Sequence, residues 1–133
     1  MTEEKKVIVC ILKSKIHRAT VTDAEIEYMG SISIDKKLME HAKIFPYEKV
    51  LVVSLDSGER LETYVIEGKK DSGEICINGA AARKILKGEK IIILSFAYVY
   101  EEKAAGHLPK IVYVNDKNKI TNEENHAGKD DQC

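Results

Sequence analysis

The chain has no tryptophan, two phenylalanines and three cysteines in 133 residues. Aromatic residues make up 6% of it, too few for the stacking platforms that hold single-stranded nucleic acid. It has no excess of charge either. Lys and Arg number 21 against 22 Asp and Glu, a formal net charge of -1, which argues against a basic nucleic-acid binder and a polybasic membrane anchor. Cys10, Cys76 and Cys133 are odd in number, widely spaced and free of any Cys-x-x-Cys. That excludes a zinc ribbon and disfavours a disulfide framework. His17, His41, His107 and His126 form no pair at ligand spacing, so no metal site is expected. Apolar runs such as residues 7–12 and 91–94 fall far short of the roughly 18 residues of a membrane span. Lys5 and Lys6 before the first run imitate a secretory signal. The run is shorter than the roughly 7–15 residues of a signal core, and Lys13 ends it without a small-residue cleavage site. The expectation is a buried strand in a cytoplasmic protein.

Charged residues at 32% and hydrophobic residues at 44% describe a globular chain rather than a disordered one. The length predicts one domain with a core that needs no staple. Residues 6–12 read as a strand, and 16–21 extend it after a bend, both rich in β-branched residues. Residues 27–32 show no clean period and read as a turn. Asp35 caps a helix over 36–43, with Leu38, Met39 and Ala42 on one face, and Pro46 marks the exit. A hairpin follows, with strands 49–55 and 59–67 about a turn at Asp56-Ser57-Gly58. Its return strand puts Leu61, Thr63 and Val65 on one side and Arg60, Glu62, Tyr64 and Ile66 on the other. Residues 69–73 form a polar turn and 74–77 a strand. An Ala-rich helix covers 78–86, a long strand 90–100, a loop 101–108 and a last strand 110–114. The polar tail 121–133 is expected to be disordered. Strands of this length with short helices between them suggest a small closed β-barrel.

Few motifs stand out. Gly68 and Gly73 have the spacing of a phosphate-binding loop, but Glu74 occupies the position that needs lysine, so a solvated turn is the better reading. Cys10 and Cys76 read as small core residues on strands. Lys15 and His17 alternate onto one side of a strand, a geometry that suits anion recognition without specifying it. Gly30-Ser31, preceded by Tyr28 and followed by Ile32 and Ile34, is the one Gly-Ser in the chain. A Gly-Ser pair alone is common in turns. On the residues alone, a barrel whose Thr, Tyr and Asn satisfy strand ends, with no chemistry, fits as well.

Five segments change that reading together. They are Lys15-Ile16-His17-Arg18, Tyr28-Met29-Gly30-Ser31, the stretch Gly58-Glu59-Arg60-Leu61-Glu62-Thr63-Tyr64, Ile77-Asn78-Gly79-Ala80-Ala81, and Ser95-Phe96. In this order and spacing they closely resemble the L-aspartate α-decarboxylase family, over about residues 5–120. The chain departs from the family pattern in having no tryptophan and in carrying Lys90 in a strand region that is usually apolar.

The resemblance implies a mainly β, single-domain double-psi β-barrel over residues 1–120. It implies a homotetramer in the cytoplasm, with a maturation helper in some members. It also implies an enzyme, aspartate 1-decarboxylase, that converts L-aspartate to β-alanine and CO2 for pantothenate and coenzyme A. The proenzyme cuts itself between Gly30 and Ser31, leaving a β chain of residues 1–30 and an α chain of residues 31–133. Ser31 becomes a covalent pyruvoyl group, whose ketone takes the substrate amine as an imine, with no pyridoxal phosphate and no metal. Gly30 is expected to adopt a strained conformation that brings the hydroxyl close to its carbonyl. Thr63 and Asn78 serve this cleavage step by resemblance, and Tyr64 donates the proton to the substrate carbanion. Arg60 is suited to a carboxylate, with Lys15, His17, Thr63 and the backbone of Gly79, Ala80 and Ala81 as further substrate contacts. Tyr28 packs beside the processing site. Arg60 with Lys15 favours a diacid over a cationic amino acid, the substrate of other pyruvoyl enzymes.

Overall fold

The structure is a computed structural model that describes residues 5–121. The tail expected over 121–133 therefore lies outside the described residues, apart from Thr121, as do His126 and Cys133. In chain order the elements are β1 (Ile8–Thr20), β2 (Asp23–Glu25), β3 (Ser31–Asp35), α1 (Lys36–Ala42), β4 (Lys49–Ser54) and β5 (Arg60–Gly68). There follow β6 (Ile75–Asn78), a 3₁₀ helix over Gly79–Arg83, β7 (Lys90–Tyr100), α2 (Glu101–Ala104) and β8 (Lys110–Tyr113).

The strands form one eight-stranded mixed sheet in the order β2-β6-β3-β5-β4-β7-β1-β8. β2 with β6, β3 with β5 and β1 with β8 pair in parallel, and the remaining neighbours are antiparallel. Ile16, Ile32, Ile34, Ile75, Ile77, Ile91 and Ile93 are fully buried in one core with Val50, Val52 and Val65. β-Branched residues fit such a pleated, two-sided environment, and each buried side chain stabilises the fold by about 1.5–3 kcal/mol. A mainly β chain wrapped around a single core agrees with the double-psi β-barrel expectation.

Two side chains tie loops to this sheet. Asp35 caps α1 by accepting from the Lys37 N–H at 2.8 Å. It also accepts from the N–H groups of Asp71 and Gly73, each at 2.8 Å. The amides of the phosphate-loop look-alike are thus committed to the chain's own carboxylate. Asn118 accepts from the Thr20 N–H and donates to the carbonyls of Thr20 and Gly73, each at 2.8 Å, joining the end of β1 to the approach to β6.

The helix over 36–43, its buried face and the 49–67 hairpin stand where expected. Other expectations are corrected. The bend in the first strand is absorbed as register shifts between Leu12 and Ser14 and between Ile16 and Ala19. β1 is therefore continuous, with Arg18 at φ 65° in the second irregularity. Its beginning is not buried: Ile8 and Val7 are largely exposed and Cys10 is exposed, so the core reading fails for Cys10 while Cys76 is buried. The expected turn at 27–32 ends at β3, buried along its whole length between β5 and β6. The alternation Ser31-Ile32-Ser33-Ile34 carries a strand's period of two. The Ala-rich helix is a five-residue 3₁₀ segment, because Gly79 enters it at φ +74°, outside the helical region. The 101–108 loop contains the short helix α2. Lys90 is accommodated by its ammonium, which donates to Thr20 Oγ1 and Asp116 Oδ1, each at 2.7 Å.

Candidate active site

Gly30 and Ser31 lead into β3, and antiparallel pairing sets Ser31 opposite Asn78 and Ser33 opposite Cys76 on β6. Directly opposed residues of a ladder share a face, so four small polar side chains meet on one side of this seam. The Asn78 amide is their hub. Its Nδ2 donates to Ser31 Oγ at 2.9 Å and to Ser33 Oγ at 3.1 Å. Its Oδ1 accepts from the Cys76 thiol at 3.2 Å. Ser31 is 2% exposed, and its hydroxyl donates through a long contact of 3.4 Å to the Met29 carbonyl. Burial pushes the Cys76 thiol up to about 11, helped by the negative charges of Asp23, Glu74 and Glu25, so it stays protonated and able to donate.

The special backbone belongs to Gly79. A Cβ at Gly79 would stand 2.7 Å from Gly30 Cα and 2.8 Å from Gly30 N, and its φ of +74° disfavours a side chain in any case. At Gly30 a Cβ would meet nothing within 4 Å, and its φ is not in the left-handed region. The strain expected at Gly30 is therefore absent there. The glycine requirement sits on the opposing strand end, which packs against the N and Cα of Gly30.

A cleft of about 310 Å³ opens beside Gly30, lined also by Leu61, Glu62, Thr63, Asn78, Ala80, Ala81 and Lys84. β3 and β5 run in parallel with Ile32 beside Val65, which brings Thr63, two residues earlier, level with Gly30. The structure thus gathers Gly30, Ser31, Thr63, Asn78, Gly79, Ala80 and Ala81 in one place. The backbone donors expected from an α-helix start here belong to a 3₁₀ turn.

The other expected site residues lie apart. Arg60 and Tyr64 point to the opposite side of β5 from the buried Val65. Tyr64 is 36% exposed, with its ring 6.5 Å from that of Tyr47. Lys15, 3% exposed, and His17 stand on β1 beside Ile111 and Tyr113 of β8, and the His17 ring meets Tyr113 edge-on at 5.6 Å. β7, β4 and β5 separate β1 from β3 in the sheet order. Tyr28 divides. Its carbonyl lies near Gly79, while its side chain, 55% exposed, lines a separate groove with Pro46, Tyr47, Ile66 and Glu67. Sequence reasoning missed Ser33 and the thiol bond of Cys76. The period of two in residues 31–35 is the signal that would have placed Ser33 beside Ser31.

A second, half-buried polar cluster joins β1, β7 and the loop after α1. Lys13, in the first irregularity of β1, sets its ammonium 2.9 and 2.8 Å from the two oxygens of Glu48 and 2.7 Å from the Lys43 carbonyl. It also lies 5.4 Å above the Phe45 ring. Glu48 accepts in addition from the Phe45 N–H at 2.9 Å and from the Ser95 hydroxyl. Burial alone would raise the Glu48 carboxyl. The hydrogen bonds from Lys13, Ser95 and Phe45, with the Lys13 charge, outweigh it and hold the carboxyl below its ordinary 4.5. Among the described residues no group of three His, Cys, Asp or Glu could hold a metal ion. No helix among them is long and apolar enough to cross a membrane.

The sequence model of the family described as Aspartate decarboxylase matches residues 7–121. An aspartate 1-decarboxylase of Dehalococcoides mccartyi (strain ATCC BAA-2266 / KCTC 15142 / 195) is 57% identical over 115 residues, covering 86% of this chain and 93% of that protein. The aspartate 1-decarboxylase of Caldicellulosiruptor saccharolyticus is 54% identical, covering 88% of this chain and 94% of its own. That of Clostridium botulinum (strain 657 / Type Ba4) is 54% identical, with coverages of 90% and 96%.

Proposed function

The chain belongs to the aspartate decarboxylase family, and from that premise we propose that it cuts itself between Gly30 and Ser31 and then converts L-aspartate to β-alanine and CO2. The observation that carries the cleavage reading is the buried Ser31 hydroxyl, bonded to Asn78 and next in the chain to Gly30, against whose N and Cα Gly79 is packed. The Ser31 Oγ attacks the Gly30 carbonyl carbon. The Gly30–Ser31 C–N bond breaks, and the hydroxyl proton passes to the freed amine, leaving an ester. The negative charge that builds on the Gly30 carbonyl oxygen calls for donors; the resemblance assigns Thr63 and Asn78 to this step, Asn78 turning to it from the Ser31 Oγ that it holds before attack. Loss of the Ser31 Cα proton then breaks its Cβ–Oγ bond. Residues 1–30 leave with a carboxylate on Gly30, and residue 31 becomes dehydroalanine. Water replaces its nitrogen, which departs as ammonia.

The resulting group would be pyruvoyl, and the surroundings of Ser31 suit it. The Asn78 Nδ2 that donates to the serine oxygen is a donor of the kind a carbonyl oxygen requires. A pyruvoyl group supplies an electron sink for the pair left behind when a carboxylate departs as CO2. This chain's residues do the rest. By resemblance Arg60, Lys15 and His17 bind the carboxylates of aspartate, although in a single chain they lie apart from Ser31, and Gly79, Ala80 and Ala81 let substrate approach the backbone. Tyr64 delivers a proton to Cα. Arg60 and Tyr64 are exposed on β5, and the homotetramer rests on the resemblance alone. A helper in maturation, a cytoplasmic setting and a role in supplying β-alanine for pantothenate rest on the same resemblance.

Intact mass under denaturing conditions tests the reading. Two species ending at Gly30 and beginning at residue 31, the latter with a keto group in place of its amine, are expected. Ser31→Ala should give one uncut chain that releases no CO2 from aspartate. An active Ser31→Ala protein would sink the mechanism.

A further inference from the structure

We propose that Cys76, with Ser33 as a second anchor, is a positioning residue for self-cleavage, its thiol turning the Asn78 amide so that the NH2 faces Ser31. The inference rests on the self-cleavage reading and extends it to residues outside the reacting bond.

An asparagine amide has two donors on one side and an acceptor on the other. A half-turn about its last bond exchanges them at little steric cost. Ser31 and Ser33 cannot decide between the two orientations, because a hydroxyl both donates and accepts. With Oδ1 turned toward the serines, both could donate to it, and Ser31 would lose the donor facing its oxygen. Cys76 breaks this symmetry. Its thiol lies 3.2 Å from Oδ1, and a protonated thiol is a weak donor and a weak acceptor with a single hydrogen to give. With Oδ1 toward position 76 both amide hydrogens find serine oxygens, one on Ser31 Oγ at 2.9 Å and one on Ser33 Oγ at 3.1 Å. The reverse turn offers them one group only and leaves an N–H without an acceptor. Asn78 is 2% exposed and Cys76 8%, so water offers little substitute at either end.

The register explains why these residues can act together. Ser31 opposes Asn78 and Ser33 opposes Cys76 in one ladder, so the positioning pair stands one step further along the same face than the reacting pair. Ser31 stays in place because β3 is a central strand held on both edges. The amide is the part that must be set, and the thiol sets it.

Cell-free synthesis of the full chain, quenched at intervals and read by intact mass, measures how fast residues 31–133 appear. Cys76→Ala should slow cleavage about fivefold, the loss of preference that removing one neutral hydrogen bond allows. Cys76→Ser restores a donor and should recover the wild-type rate, a rescue that a purely packing role would not produce. Melting temperatures of the same substitutions placed in uncut Ser31→Ala protein separate folding from chemistry. Cleavage of Cys76→Ala at the wild-type rate overturns the proposal, as does a Cys76→Ser protein equally slow at an unchanged melting temperature. If Cys76→Ala does not fold, Ser33→Ala carries the test, and slowed cleavage supports the proposal where a normal rate overturns it. A wild-type chain that never cuts, alone or with cell extract, removes the self-cleavage reading and this inference with it.

Discussion

The cluster around Ser31 is built of uncharged groups, whereas the cluster around Glu48 pairs an ammonium with a carboxylate. Both draw their members from distant parts of the sequence, and both are well supplied with hydrogen bonds. In the Glu48 cluster the charge is compensated on the spot, and the carboxylate gathers a side chain from β1, one from β7 and a backbone N–H before β4. Such a node fixes elements relative to one another. In the Ser31 cluster no group carries a charge, and the hydrogen bonds converge on the Asn78 amide, which donates to the Ser31 hydroxyl. A neutral, rigid surrounding leaves room for charge to appear during reaction and to be met by donors already in place. The difference separates a polar cluster that supports the fold from one that directs chemistry.

Substitutions can break or sharpen that contrast. The largest effect on stability is expected from Glu48→Ala, which strands Lys13 and removes the acceptor of Phe45 N–H and Ser95. In uncut Ser31→Ala protein it should cost about 2–3 kcal/mol by thermal unfolding, less than for a fully buried pair because both side chains are partly solvated. Cleavage of folded Glu48→Ala should proceed at the normal rate. The pH dependence has a defined sign. Because the Glu48 carboxyl titrates lower in the folded protein than its ordinary 4.5, its contribution is complete above that value and fades as pH falls through the folded one. The stability gap between wild type and Glu48→Gln should therefore narrow on going from about pH 5 toward pH 3. A gap constant over that range would remove the assigned role of the carboxylate.

Gly79→Ala comes next. It places a Cβ 2.7 Å from Gly30 Cα at a φ of +74°, and a strained residue of this kind costs about 1–3 kcal/mol. Unlike Glu48→Ala it should also abolish cleavage, since Gly30 must shift away to admit the methyl group. Normal cutting by Gly79→Ala would show that the close approach is not needed. Thr63→Val should have the smallest effect on stability, because valine matches threonine in shape. Its cleavage should be slower by about 100-fold, the usual consequence of removing one donor from a developing oxyanion. An unchanged rate would leave Asn78 as the donor and strike Thr63 from the machinery.

Much of this architecture was legible beforehand where the signals are local. Asp35 as a helix cap, the buried face of α1 and the two-sided pattern of β5 follow from spacing within a few residues. β3 was misread as part of a turn although Ser31-Ile32-Ser33-Ile34 alternates, because Gly30 and the irregular residues before it masked the start of the strand. The 3₁₀ segment was misread because alanine favours helix, while the φ of Gly79 is set by the crowding of Gly30 against it. Cys10 and Cys76 read alike in sequence, yet Cys10 faces outward and Cys76 bonds Asn78. Lys13 and Glu48 gave no sign of each other, since 35 residues separate them.

By itself the sequence determined the family, the Gly30-Ser31 pair and the residue types available for cleavage and for binding carboxylates, because these are carried by ordered motifs. Tertiary structure alone decided which of them meet. Ser31 faces Asn78 and Cys76 stands behind it because β3 lies against β6 in one register, while Lys15 and His17 went elsewhere with β1. A period of two states which face a side chain takes. Which strand lies opposite is settled by burying a single core, a property of the whole chain.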